Sequence, residues 1–148
     1  MYSFVLTLHN ILRWLVLILG IIAIVRAYIG WFGNRDWSDL DDNLGRGFTI
    51  SLDLQFLLGL LLYIFLSPIT TSAFANMSAA MSDSGTRFFL VEHSISMLLA
   101  IIVAHVGRSR ARKQETDKNK YRTTAIFFTI ALLIILAAIP WFRPLLPF

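Results

Sequence analysis

The sequence predicts an all-α integral membrane protein, an up-down four-helix bundle with both termini on the outer side. Three observations carry that reading. Of 148 residues, 57% are hydrophobic, against roughly 45–50% for a soluble globular chain. The mean hydropathy is +0.69. Finally, the apolar residues gather into four long runs, at residues 4–27, 48–66, 86–107 and 123–139, and the connectors hold nearly all the charge. The expected organisation is a single membrane domain over residues 1–148.

The first run is long enough, at about 1.5 Å per residue, to cross a hydrocarbon layer of about 30 Å. It shows neither a small-residue cleavage site nor a basic leader, so it is expected to remain as a span. His9 and Arg13 are four apart and share a face, which continues through Gly20, Ala23 and Ala27. Such small residues let a neighbouring backbone approach closely. The connector 28–47 places Trp31 and Trp37 at headgroup level. Its Asp39, Asp41 and Asp42 have the spacing of part of a calcium loop, but the Gly and distal Glu of that loop are missing, which favours a solvated turn with helix-capping Asp.

The second run ends at Ser67-Pro68 and carries Ser51, Gln55, Gly59 and Tyr63 on one face, with Asp53 turned away from them. The connector 68–85 is rich in Ser, Thr, Ala and Met, with Asp83 its one ionisable group, and reads as a surface loop with a short interfacial helix. The third run holds Glu92, His93 and His105. Ionisable groups in hydrocarbon are costly, and their presence is a functional lead. Seven of the thirteen Lys and Arg residues then lie in the connector 108–122. The fourth run has no charge inside it and ends at Pro140-Trp141.

Because cytoplasmic loops are enriched in Lys and Arg, connectors 28–47 and 108–122 are expected inside, and the termini and residues 68–85 outside. A bacterial inner membrane is the expected location. The net charge of +4 and a pI near 9.9 then reflect topology, and no nucleic-acid partner is expected. Absence of cysteine excludes disulfides, thiolate-held zinc, iron–sulfur clusters and haem attached through CxxCH.

This topology makes His9 and His93 level, each roughly 8–11 Å below the outer surface. The first and third helices of an up-down bundle are diagonal neighbours, so the two imidazoles are placed to hold one haem b as its axial ligands. A bis-histidine haem has no open position and passes electrons. Arg13 is expected either to neutralise a propionate or to pair with Glu92, and Gln55 and Tyr63 to hydrogen-bond a ligating imidazole. His105 is a second-choice ligand or a solvated interfacial group. Asp53 is free to pair with His105 or Arg26. The bland alternatives are solvation for His9 and interhelical hydrogen bonding for His93.

The segments LHNILRWLVL, DLQFLLGLLLY, RFFLVEHSISMLLA, AHVGRSRARK and ILAAIPW resemble a group of small bacterial four-helix membrane proteins labelled cytochrome-b-like. The resemblance implies a b-type haem, with His9, Arg13, Glu92, His93 and His105 at the group's polar positions. It also implies a histidine before the Leu-Gln of the second span, where this chain has Asp53. The functional expectation is an electron-transfer protein or oxidoreductase subunit, linked to a quinone, a larger respiratory complex or a second copy, rather than a self-standing enzyme. A cofactor-free scaffold subunit, and an ion-coupled transport module using Asp53, Arg13 and Glu92, are the alternatives.

Overall fold

The computed structural model describes residues 1–143. It is all-α: α1 (Tyr2–Gly33), α2 (Asp39–Leu61), α3 (Pro68–Ala75), α4 (Met77–Ser82), α5 (Ser84–Arg87), α6 (His93–Arg112) and α7 (Asp117–Ala138). A π-helical turn, Leu62–Leu66, extends α2, and another, Phe88–Glu92, joins α5 to α6. Among the described residues, four helices are each long and apolar enough to cross a membrane: Tyr2–Gly33, Asp39–Leu66, Ser84–Arg112 and Asp117–Ala138. They cover the four expected spans, the fourth to within one residue, and overrun each of them at connectors 28–47 and 108–122, where the helices continue beyond the apolar runs.

The long helices pack in the cyclic order α1, α2, α6, α7, so α1 lies diagonally opposite α6. Of the four adjacent pairs, α6 with α7 is the most extensively packed and α2 with α6 the least. Small residues set the tight seams. Ala23, Ala27, Ala100, Ala104, Ala125 and Ala131 are all buried. A Cβ on Gly20 would stand 2.8 Å from the Phe48 ring. One on Gly30 would overlap Tyr121, and one on Gly107 would overlap Phe127. Phe48 and Phe128, both fully buried, meet edge-to-face at 4.9 Å in the middle of the core. The outer surface is the reverse of a soluble protein's. Ile18, Ile22 and Val25 on α1, Leu54 and Leu57 on α2, and Leu98 and Ile102 on α6 are exposed, as a lipid-facing surface requires.

Ends are set by recognisable signals. Ser38 and Asp41 form a reciprocal capping box at the start of α2, so the acidic cluster of connector 28–47 caps a helix. Ser67 is extended ahead of Pro68, which occupies the first turn of α3. Asp83 accepts from the Thr86 N–H at 2.8 Å, and Thr86 holds its carboxyl below the usual carboxylate range. Residues 68–85, expected as a loop with one short helix, are mostly helical, in three short pieces.

One polar knot ties three helices together. Asp41, buried at 6% exposure, accepts from Arg26 at 2.8 Å, from Tyr121 Oη at 2.7 Å and from both the N–H and hydroxyl of Ser38. Tyr121 Oη also lies 2.9 Å from the Asp36 carbonyl, and the Tyr121 ring packs on Trp37 at 4.8 Å. A buried carboxylate with this many donors is stabilising only as a complete set, since removing it strands Arg26, Ser38 and Tyr121. Asp41→Ala is therefore expected to cost about 2–4 kcal/mol, and Asp42→Ala, whose carboxylate is more exposed, about 1 kcal/mol or less. Helical circular dichroism during denaturation in detergent would measure both, and equal losses would remove the knot's special standing.

Candidate functional site

The site lies at the opposite end of the bundle from the knot. His9 projects from α1 and His93 from the first turn of α6, and their rings face each other across the diagonal with centroids 6.5 Å apart and planes inclined at 66°. Two metal–imidazole bonds of about 2 Å each would bring ring centroids to roughly 6 Å, and an edge-to-face ring pair without a metal spans about 4.5–7 Å, so the spacing is compatible with either.

The helices hold these rings through backbone groups that local sequence leaves available. Pro140 forces Ile139 to an extended conformation (ψ 134°) and ends α7 at Ala138. The last carbonyls of a helix have no partner within it, and His93 Nδ1 lies 2.8 Å from the Ala138 oxygen. A carbonyl only accepts, so Nδ1 carries the proton and Nε2 presents its lone pair. This is the outer-shell arrangement that orients a metal-binding histidine. His9 rests on Gly59, where a Cβ would come within 3.2 Å of its Cε1, and its Nδ1 is buried without a hydrogen-bond partner among the described residues.

Arg13 and Gln55 reach the same layer. Arg13 is buried at 8% exposure, lies 5.8 Å from the Trp14 ring centroid and donates to Asn10 Oδ1 at 3.5 Å. Gln55 Nε2 donates to the backbone oxygen of His9 at 3.0 Å, so it anchors the α1 backbone and not the imidazole. Its own Oε1 is buried without a hydrogen-bond partner among the described residues.

Two further expectations, for Glu92 and Tyr63, are corrected. Glu92 is outside the layer: it pairs with Arg87 at 3.0 Å on the surface, because the π turn at Phe88–Glu92 alters the helical rotation just before His93. Tyr63 donates to the Leu90 carbonyl at 3.0 Å instead of an imidazole, stitching one π turn to the other. His105 belongs to a separate layer, where Nε2 meets Asp53 Oδ1 at 2.7 Å with both side chains half exposed. That pairing was one of the two open to Asp53; Arg26, the other candidate, is taken by Asp41.

Some contributors were invisible as site residues in the sequence. The Ala138 carbonyl is one, although Pro140 signalled a free helix end. Phe88 and Phe89 are others: their rings lie 6.0 and 6.1 Å from that of His93, and both meet Phe142, which screens the imidazole from the bundle's end. Arg143 sits 4.5 Å over Phe89. Asn10 is the third.

Filling the Gly59 gap tests the packing. Gly59→Leu would press a branched side chain onto His9, at a cost of about 1–3 kcal/mol for overpacking. It is expected to lower the denaturation midpoint and move the His9 imidazole resonances in NMR, while leaving those of His105 in place. Unmoved His9 resonances would sink the Gly59 contact.

No family model matches the chain, and neither the curated proteins nor the solved structures contain a similar one.

Proposed function

We propose that the chain is a multi-pass protein of the bacterial inner membrane that holds haem b between His9 and His93 and transfers electrons, exchanging them with a quinone or a larger respiratory partner. The single observation that supports this is the facing pair of imidazoles, with His93 Nδ1 donating to Ala138. The donor set fits the group. Two neutral imidazoles on diagonal helices are available, one with its free nitrogen fixed by tautomer. A buried arginine lies in the same layer to balance a propionate.

When bound, the haem would supply reversible one-electron chemistry, with His9 and His93 as the residues that would hold it. The chain's own groups do the rest. Ala138 and Gly59 set the orientations of the two rings. Gln55 holds the α1 backbone at the level of His9. Phe88, Phe89 and Phe142 exclude water, and the Arg13 guanidinium favours the more electron-rich state of whatever sits between the histidines. The orientation proposed, with this layer near the outer face, follows from the basic residues at the other end of the bundle.

A cofactor-free scaffold subunit is the second reading, and the internal bonding of the layer through Ala138, Gln55 and Asn10 favours it. The ion-pathway reading has less support: Glu92 and Asp53 stand in different ion pairs in separate layers.

The visible spectrum of the detergent-purified protein, oxidised and dithionite-reduced, separates the readings. A sharp reduced α-band lost in both His9→Ala and His93→Ala is expected. Colourless protein from haem-replete cells would overturn the cytochrome and leave the scaffold. With the band present, Arg13→Gln is expected to lower the midpoint potential by on the order of tens of millivolts, because a nearby cation favours the reduced iron. Potentiometric titration reads that shift, and an unchanged or raised potential would remove Arg13 from the haem environment.

A further inference from the structure

At the other end of α6, an open recess of about 390 Å³ is lined by His105, Arg108, Ser109, Arg112 and Lys113. His105 is three and four residues before Arg108 and Ser109, which stand the same distances before Arg112 and the C-cap Lys113, so the five share a side. The charges in it are not equally available. Arg108 already donates to Asp42 at 3.2 Å, which also pairs with Arg46, and His105 is engaged by Asp53. Among the described residues Arg112 and Lys113 have no ion-pair partner, and both are exposed.

Directly along the helix from this recess, Leu98, Ile102 and Val106 are exposed at steps of four. The recess therefore marks the place where the apolar surface gives way to the basic one. An apolar track leading to a cationic, hydroxyl-bearing recess is complementary to an amphiphile with an anionic head.

We propose that this recess binds the phosphate of an anionic phospholipid headgroup, with an acyl chain lying along Leu98, Ile102 and Val106. Arg112 and Lys113 supply the charge, the Ser109 hydroxyl donates to a phosphate oxygen, and Asp53 holds the His105 imidazole at the inner wall. Basic pockets at the ends of transmembrane helices recognise lipid headgroups in this way. A free phosphate ion would gain the charge contacts but nothing from the apolar track. This site is independent of any haem.

Native mass spectrometry of the full-length protein in detergent, titrated with phosphatidylglycerol or phosphatidylcholine, tests it. Two double variants remove equal charge from the same connector: Arg112→Gln/Lys113→Gln in the recess, and Lys118→Gln/Arg122→Gln outside it. At about 1 kcal/mol per basic residue near the surface, the first pair is expected to weaken phosphatidylglycerol retention roughly tenfold to thirtyfold, and the second less than about twofold. Phosphatidylcholine should bind weakly to every form, and inorganic phosphate should not displace the lipid. Equal losses in the two doubles, equal retention of phosphatidylcholine, or displacement by inorganic phosphate would each overturn the proposal, the last by identifying a free-anion site.

Discussion

The distance between the diagonal helices controls what this bundle can do, and small residues set that distance. Dispersion attraction falls steeply with separation, and helices in lipid gain little from hydrophobic burial against one another. Close approach must therefore come from missing side-chain volume. Ala23 and Ala27 on α1, Ala100, Ala104 and Gly107 on α6, and Ala125 and Ala131 on α7 provide it. Larger residues along those seams would move α1 and α6 apart, and the 6.5 Å approach of His9 to His93 would go with them. Phe48 and Phe128 fill the volume that remains between the helices.

The two ends of the bundle then differ in kind. At one, Asp41, Arg26, Tyr121 and Ser38 satisfy one another almost completely, and the result is a rigid tie between α1, α2 and α7. At the other, among the described residues, His9 Nδ1 and Gln55 Oε1 are buried without a hydrogen-bond partner, as Arg108 Nε is at the first end, and both π turns occur there, joined through Tyr63 and Leu90. Unpaired buried polar atoms in a low-dielectric setting are costly, and π turns are frequent at functional sites. Two of the three such atoms and both π turns thus fall at the end that holds the facing imidazoles, while the tie between α1, α2 and α7 lies at the opposite end.

Much of this was legible in the sequence, and the failures share one cause. The four apolar runs, the diagonal relation of the first and third, and the level of His9 with His93 all follow from segment length and chain direction. The capping role of the Asp39–Asp42 cluster follows from turn chemistry. Glu92 was placed with Arg13 because the two share a level, and a shared level does not reveal which partner is within reach, which here is Arg87. The roles of Tyr63 and Gln55 were misjudged because both bond to backbone carbonyls, of Leu90 and His9, and a pattern of side chains does not reveal which carbonyls are within reach. The Ala138 carbonyl was foreshadowed by Pro140, but its meeting with His93 is a tertiary fact.

Asp53 bears on how many imidazole pairs the bundle can hold. A histidine at that position would put a second imidazole opposite His105. Here Asp53 instead takes the His105 Nε2 at 2.7 Å. A carboxylate is only an acceptor when ionised, so Nε2 carries the proton toward Asp53 and only Nδ1 is left to accept. The two side chains also sit half exposed at the α2–α6 seam, the least packed of the four, and not between diagonal helices. A single polar exchange thus turns what a second histidine would make an imidazole pair into a His–Asp hydrogen bond. It leaves His9 and His93 as the one layer in which two imidazoles oppose each other across the bundle.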